Sequence, residues 1–377
     1  MLVLWLTLAG CAMAGATRTW TDRGGKSFEA ELLAADSVRA TLQVKGGAKT
    51  IVPLANLSSA DLDYLRQSRR DNPDAPIVDP TFLPPWPKEA VAESFDVKIT
   101  GEDRGTGSTE YSSPHFTIAA DLRLPVGVVR DLAAVLEATR AAVCAVPLGI
   151  MSGLEPEKYQ VRLFSKTEEY GAAGGNVGTG GTFTHREMLI LLPNLGIQAT
   201  TNGLSAEHQK NLFVIKHEVT HQLLDRWRRG LPTWLDEGLA ETFAAVPYTR
   251  GRYTFQNLDS SMRDYLLKWR TARDSRAIRL SAPGKLLAMS RPDWDAQLSS
   301  QSAYDLYNSA GFLVYWLLHH DGRGDGAGVA AYFDALRQRT PADEAERKYL
   351  LRGRTPEQIS VELKALARRM ALELAME

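Results

Sequence analysis

The first seventy residues alternate between apolar and polar positions in short stretches, a pattern that predicts β-strands. Three stretches are rich in β-branched or aliphatic residues, and glycine pairs beside them are hairpin signals. The stretches are Phe28–Leu33, Val38–Val44 and Thr50–Val52, with glycine pairs at 24–25 and 46–47. Ser58 then begins a short helical pattern as a capping residue. Residues 18–67 are therefore predicted to form a small β-barrel that ends in one helix.

The composition changes after this segment. Residues 68–92 contain six of the chain's 18 prolines, which predicts a semi-rigid, extended linker. Residues 93–377 mix predicted strands and helices, and from Ser205 onward the pattern is largely helical. Ser205 itself is a candidate N-cap for the first of these later helices.

The apolar run Met188–Leu192 predicts a strand in the middle of this region. Two placements stay open for it: a sheet edge along which an extended peptide could pair, or a central core strand. The glycine-rich stretch 171–181 precedes it and lacks the Gly-Lys-Ser/Thr ending of a phosphate-binding loop. We therefore predict a mobile loop at 171–181.

The N-terminus is apolar over residues 1–16, which is shorter than the ~20 residues that span a bilayer. Its small-residue ending predicts a secretory signal peptide. Leu8-Ala-Gly-Cys11 also resembles a bacterial lipobox, in which Cys11 would carry a lipid anchor. Both alternatives predict a protein outside the cytoplasm, secreted or in the periplasm or cell envelope. No later stretch predicts a transmembrane helix.

Composition limits the chemistry that the chain can perform. Of its 377 residues, 44 are Lys or Arg and 45 are Asp or Glu, so the net charge of -1 gives no overall basic field for nucleic acid. Its two cysteines, Cys11 and Cys144, are too few for a disulfide scaffold or a thiolate-rich metal site. Catalysis would therefore depend on nitrogen and oxygen groups or on a cofactor.

One predicted helix carries a set of metal-ligand residues beside its apolar stripe. His217 and His221 stand four residues apart, so their imidazoles lie one turn apart on the same helix face. A single tetrahedral Zn²⁺ requires nitrogen ligands in this arrangement. Glu218 follows the first histidine, where its carboxylate can reach a water at the metal without being a ligand. The spacing predicts one zinc ion per chain.

A second predicted helix begins after a tight turn, with Thr233 as its expected cap and acidic residues in its first turn. Two helices joined by a short turn pack against each other, which can bring Glu237 over the two histidines. A third ligand of this kind leaves one coordination position open for water, as a catalytic zinc requires.

Two parts of the chain carry family resemblances. Arg18–Lys26 together with Val52–Asp61 resembles the Sla-homology type of SH3-like domain, which implies a barrel that binds a protein partner or acts as a spacer. His217-Glu218-x-x-His221 followed by Trp-Leu-Asp-Glu237-Gly-Leu-Ala resembles the gluzincin metallopeptidases, above all the peptidase MA-like secreted bacterial families. This second resemblance covers residues 105–340 and implies a catalytic domain over residues 93–377.

The gluzincin resemblance also implies individual roles. His217, His221 and Glu237 would bind zinc, and Glu218 would be the general base of peptide hydrolysis. Glu241 would be a carboxylate outside the set of zinc ligands that orients a ligand imidazole.

Gluzincins also have a downstream tyrosine that steadies the developing oxyanion. Tyr307 fits this pattern best, and Tyr304 is the alternative. No Gly-Ala-Met-Glu-Asn exopeptidase motif precedes the first helix.

The predicted fold class is α+β: a small SH3-like β-barrel, a Pro-rich linker, and a gluzincin-like domain with a mixed α/β first part and a mainly helical second part. The leading function is zinc-dependent peptide-bond hydrolysis of a peptide or protein substrate outside the cytoplasm. The alternatives are a non-enzymatic, zinc-stabilised binding or scaffold protein, and a zinc hydrolase of a non-peptide amide. A scaffold predicts a fourth protein ligand on the metal and no cleft beside it.

Overall fold

The chain folds into two units, one ending at Phe82 and one beginning at Leu83. The computed structural model describes residues 17–36, 38–72, 75–77, 79–103, 105–151, 156–184, 186–200, 203–206, 211–269, 277–298 and 303–377. The predicted signal segment 1–16, with Cys11, lies outside the described residues. Among the described helices, none combines the length and apolar character that crossing a bilayer requires.

The first unit is a four-stranded antiparallel meander in the order β1-β2-β3-β4, followed by a helix. Its elements are β1 (Arg18–Thr21), β2 (Ser27–Ala35), β3 (Arg39–Val44), β4 (Lys49–Pro53) and α1 (Ser59–Asp71). Trp20 and Leu42 are central to its apolar core. Ser58 caps α1 by accepting a hydrogen bond from the backbone N–H of Asp61, and Asp61 in turn accepts one from the backbone N–H of Thr21 in β1 at 2.8 Å. The predicted antiparallel strands are thus present, and the helix is fastened to the first of them.

Both ends of the predicted linker 68–92 are ordered elements. Helix α1 continues past the predicted end at residue 67 to Asp71, and the backbone N–H of Asn72 still donates to the carbonyl oxygen of Ser68. At the other end, Glu89–Val91 forms strand β5. It pairs with β15 (Arg252–Thr254), which pairs with β14 (Tyr248–Thr249). The last residues of the predicted linker therefore belong to the second unit.

The second unit contains a six-stranded sheet in the order β10-β11-β9-β8-β7-β6. Its strands are β6 (Lys98–Glu102), β7 (Thr109–Ser112), β8 (Phe116–Ala120), β9 (Tyr159–Phe164), β10 (Gly181–Thr184) and β11 (Glu187–Leu191). Strands β8, β9 and β11 run parallel, and the others are antiparallel to their neighbours. The long buried helix α2 (Val126–Ala145) connects β8 to β9, and α3 (Thr167–Ala172) follows β9.

The strand predicted from Met188–Leu192 is β11, and it lies inside this sheet. Strand β10 pairs with it on one side and forms the edge. Of the two placements left open by the sequence, the interior one is therefore correct. The edge position belongs to the end of the glycine-rich stretch, part of which is α3 and β10 rather than loop.

The rest of the second unit is mainly helical, as predicted. Its helices are α4 (Leu212–Leu224), α5 (Thr233–Ala245), α6 (Leu258–Lys268), α7 (Pro283–Leu287), α8 (Arg291–Leu298), α9 (Ala303–His319), α10 (Ala327–Arg337), α11 (Ala342–Ala345) and α12 (Pro356–Arg369). Two small sheets accompany them, the hairpin β12 (Ile197–Thr200) with β13 (Gly203–Ala206) and the parallel pair β16 (Ala277–Leu280) with β17 (Glu373–Met376). The architecture is α+β. Helices α4, α5, α6, α8 and α9 surround the candidate site.

Candidate metal centre and cleft

Helix α4 places the two histidines of the motif on one face. Its opposite face is apolar and buried through Ile215, Val219 and Leu223, which fixes the rotation of the helix about its axis. The Nε2 atoms of His217 and His221 consequently lie 3.0 Å apart. Two imidazole nitrogens at this separation face the same point.

Helix α5 reaches the histidines because it packs closely against α9. A Cβ at Gly238 would lie 2.5 Å from the carbonyl oxygen of Ala310 and 2.4 Å from a methyl of Val314. On α9, a Cβ at Gly311 would lie 2.9 Å from Cβ of Glu241. Real Cβ atoms do not approach so closely, so both positions require glycine for this helix contact. The contact fixes the depth at which α5 presents its carboxylates.

Glu237 completes a cluster of three metal-ligand atoms. Its Oε2 atom lies 3.4 Å from Nε2 of His217 and 3.3 Å from Nε2 of His221. All three donor atoms lie within 4.8 Å of one another. The structure thus brings His217, His221 and Glu237 together as the sequence predicted. Two imidazoles and one carboxylate are the donor set of several catalytic zinc sites.

Each imidazole contacts a carboxylate through Nδ1, the ring nitrogen on the side away from the cluster, and this contact fixes the orientation of the ring. Nδ1 of His217 lies 2.9 Å from Oε1 of Glu241, and Nδ1 of His221 lies 2.9 Å from Oδ1 of Asp236. A neutral imidazole that donates its Nδ1–H to such a carboxylate has its Nε2 lone pair directed at the cluster. Glu241 therefore contacts the imidazole of a predicted ligand, His217, as the resemblance implied. The corresponding partner of His221 is Asp236.

Two residues from distant elements support these carboxylates. The hydroxyl of Tyr265 on α6 donates to Oε2 of Glu241 at 2.7 Å. The guanidinium of Arg291 on α8 donates to Oε1 of Glu237 at 2.5 Å and to Oδ2 of Asp236 at 2.9 Å. Arg291 therefore forms a hydrogen bond with Oε1 of Glu237, and the other carboxylate oxygen, Oε2, faces the histidines. Sequence reasoning missed both residues, since neither lies at a recognisable spacing from the motif.

The cluster carries an excess of buried negative charge. Glu218, Asp236, Glu237 and Glu241 are all buried, and Arg291 offsets part of their charge. Burial alone would lower the pKa of His221, but Asp236 and Glu237 raise that pKa to about 10. This field favours a positive charge at the point where the three donor atoms meet, and a divalent cation would supply it.

Glu218 lies beside the cluster, against the glycine-rich edge of the sheet. Its side chain is buried, and burial raises the pKa of this carboxyl group. A Cβ at Gly181, the first residue of β10, would lie 2.6 Å from Cγ of Glu218 and 2.7 Å from Cδ1 of Ile190. Glycine at this position therefore makes the space that the Glu218 side chain occupies.

An open cleft of about 980 Å³ runs past the cluster. The cleft is lined by residues 178–181, by His217 and Glu218 of α4, and by residues of α6 and α9. The ring centroids of Tyr307 and His217 are 5.8 Å apart. Burial, with Glu237, Glu218 and Glu241 nearby, raises the pKa of Tyr307 well above its usual value, so its phenol stays protonated. Tyr304 also lines the cleft, but its ring stacks on Trp269 rather than on the histidines.

Lys216 joins the two ligand-bearing helices at the far end of α5. Its buried Nζ donates to the carbonyl oxygens of Ala244 and Val246, both at 2.6 Å. Burial and the nearby Lys268 lower the pKa of Lys216 to about 7. The amine caps carbonyl groups that the last turn of α5 leaves without helical partners.

Residues 12–72 match the family SLA1 homology domain 1, SHD1. The matched segment contains the N-terminal meander and its helix, and an SH3-like domain of this type indicates protein–protein interaction. No curated protein matches the chain.

Proposed function

We propose that this protein is a zinc-dependent peptidase acting outside the cytoplasm. The supporting observation is the convergence of His217, His221 and Glu237 on one point beside an open cleft. Glu218 lines the same cleft but is outside the three-atom cluster. The donors and the adjacent acid therefore have the separate positions that ligands and a general base need.

The residues present fit a zinc ion by three criteria. The donor set is two imidazole nitrogens and one carboxylate. Carboxylates orient both imidazoles through Nδ1, and the surrounding buried acids favour a divalent cation. When bound, zinc supplies Lewis-acid chemistry and lowers the pKa of water at its open position.

The chain's own residues would carry the proton and orient the substrate. Glu218, whose pKa is raised by burial, would accept a proton from the attacking water and return it to the leaving amine. The protonated phenol of Tyr307 would donate a hydrogen bond to the developing oxyanion. An extended peptide could pair with the edge strand β10, which starts at Gly181 beside Glu218.

Two other functions predict different features. A scaffold protein would close the metal with a fourth protein ligand, yet the candidate cluster among the described residues has three members and borders a cleft of about 980 Å³. This observation favours catalysis over a structural metal. A zinc hydrolase of a non-peptide amide would use the same groups, and a substrate panel separates it from a peptidase.

The apolar residues 1–16 support secretion or attachment to the cell envelope, with Cys11 as the residue that a lipid anchor would modify. The SHD1 match supports a protein partner for the first unit. Both statements are part of the proposal.

The decisive experiment replaces Glu218 with Gln in the full chain. We expect one zinc ion per chain in wild type and in Glu218→Gln, and a fall in kcat of about 10²–10⁴-fold for a cleavable peptide in the variant. Glu362→Gln is the matched control, because Glu362 is exposed on α12. Wild-type turnover in Glu218→Gln, or undiminished hydrolysis after the metal has been removed by a chelator, would refute the proposal.

A further inference from the structure

Three aromatic side chains that contact one another line the cleft near the candidate metal ligands. The ring centroids of Phe213 and Trp269 are 4.5 Å apart. Those of Trp269 and Tyr304 are 5.4 Å apart, with their planes only 14° from parallel. All three residues line the cleft, and Tyr304 is 52% exposed. We call Phe213, Trp269 and Tyr304 the aromatic wall.

The aromatic wall lies at a defined distance from the metal ligands. Phe213 precedes His217 by four residues in α4 and therefore stands one turn away on the same helix face. Four residues of α-helix rise about 6 Å. An extended peptide advances about 3.3 Å per residue. A side chain that reaches the aromatic wall therefore belongs to a residue about two positions from the bond held at the cluster.

The charge at the aromatic wall limits which side chains it suits. The Lys268 ammonium lies 5.1 Å from the centroid of the Phe213 ring and 4.7 Å from that of Trp269. The faces nearest Lys268 are thus already in contact with a cation. A lysine or arginine side chain would meet like charge there, whereas a neutral aromatic ring would not.

The cleft beside the aromatic wall has a volume of about 980 Å³, which is room for a large group. Residues 178–181 also line this cleft. An aromatic ring seated on the wall can stack on one ring and meet another by its edge. Each such ring pair strengthens binding about 2–13-fold beyond the effect of the area that it buries.

We propose that the aromatic wall is a specificity subsite that binds an aromatic side chain of the substrate, about two residues from the scissile bond. The inference rests on the proposed peptidase function for the identity of the ligand. It adds the substrate class: peptides with phenylalanine, tyrosine or tryptophan at that position, and no preference for lysine.

The test measures binding without turnover. The probes are capped alanine hexapeptides in which one residue is Phe, Leu or Lys, with the substitution moved along the peptide. Their affinities for zinc-loaded Glu218→Gln protein are measured by titration calorimetry. Two ring contacts predict that the best Phe peptide binds about 10–100-fold more tightly than the all-alanine peptide. The Lys peptides should gain nothing.

Trp269→Ala and Tyr304→Ala should each reduce the Phe-to-Ala affinity ratio to about 3–10-fold, by removing one of the two ring contacts. Tyr304 is half exposed, so its variant is expected to fold even if the Trp269 variant does not, and circular dichroism with zinc content checks both. Tyr64→Ala is the control, because Tyr64 is an exposed tyrosine of the first unit. It should leave the ratio unchanged.

Equal affinities for the Phe and all-alanine peptides, including no detectable binding of either, would overturn the subsite. So would an unchanged ratio in Tyr304→Ala. Hydrolysis of a mixed peptide library by wild-type protein separates this failure from failure of the peptidase function. Cleavage without aromatic preference rejects the subsite alone, whereas selective binding of Phe peptides without any cleavage rejects the peptidase function alone.

Discussion

Gly181→Ala tests whether the glycine at the start of β10 is what positions Glu218. The added methyl group would lie 2.6 Å from Cγ of Glu218, 3.1 Å from its Cδ and 2.7 Å from Cδ1 of Ile190. Ordinary contacts between carbon atoms are about 3.5–4.0 Å. The new methyl group is therefore about 1 Å too close to a side chain in each of two directions. The two obstacles differ, since Glu218 ends in the open cleft and Ile190 is fully buried.

The magnitude follows from these contacts. Overpacking of a filled site costs about 1–3 kcal/mol of unfolding free energy, and the loss of glycine's freedom in the unfolded chain returns about 0.4–1 kcal/mol. We expect a net loss of stability of about 1–2 kcal/mol. The side chain of Glu218 is the more mobile obstacle and should be displaced by about 1 Å, which lowers activity about 10²-fold.

The assay combines urea unfolding, zinc content and peptide hydrolysis on the same preparations. Zinc content should stay at the wild-type level, because Glu218 is not one of the three donor residues. Gly127→Ala is the matched control: its Cβ would meet nothing within 4 Å. The control should keep full activity and lose no stability.

A double-mutant cycle makes the test independent of catalysis. In a Glu218→Ala background the Cγ and Cδ atoms are absent, so Gly181→Ala should cost about 1 kcal/mol less than in wild type. A cost that is the same in both backgrounds, or wild-type activity in Gly181→Ala, would show that Glu218 is not held by this contact.

Two further predictions concern other charged groups of the second unit. Arg291→Gln removes the guanidinium that contacts Oε1 of Glu237 and Oδ2 of Asp236. We expect zinc affinity, measured in competition with a chelator, to fall about 10–100-fold, and to fall less in Arg291→Lys. Unchanged zinc affinity would contradict the role of Arg291. Burial, with the neighbouring His320, lowers the pKa of His319 to about 3, so the unfolded chain binds the extra proton as pH falls below about 6.5. As pH falls from 6.5 to about 3, this group therefore lowers the free energy of unfolding by up to about 1.4 kcal/mol per pH unit. His319→Phe should make the free energy of unfolding, measured with urea, depend less on pH in this range. A variant with the wild-type pH dependence would reject the assignment.

Local spacing made the cluster of His217, His221 and Glu237 predictable. His217 and His221 share a helix face whatever the rest of the chain does. Glu237 follows in a helix joined by a short turn, so its approach to them required only that the two helices pack. Glu241 is one turn further along the same helix. Each of these relations depends on a spacing within one helix or on two helices that are joined by a short turn.

Long-range contacts were not predictable from the sequence. Arg291 contacts Glu237 across 54 residues, and Tyr265 contacts Glu241 across 24. The edge position of β10 likewise depends on how the six strands are ordered, which the apolar pattern of Met188–Leu192 does not encode.

Two predicted helix caps, Ser205 and Thr233, were wrong, whereas Ser58 caps α1 as predicted. Ser205 belongs to β13, and α4 begins at Leu212 after Asn211, whose side chain makes no cap bond. Thr233 is the first residue inside α5, and Pro232 occupies the cap position. Proline has a fixed φ suited to a helix start, and it took the place that a hydroxyl side chain usually occupies.

The amine of Lys216 links α4 to the C-terminal end of α5 through two buried hydrogen bonds. Pulling the helices apart would remove both carbonyl acceptors, at Ala244 and Val246, from a buried nitrogen, and an unsatisfied buried polar group costs several kcal/mol. The two imidazoles on one helix and the carboxylate on the other are therefore prealigned before any ion arrives. A cation bound as we propose would therefore spend little of its binding free energy on ordering the protein.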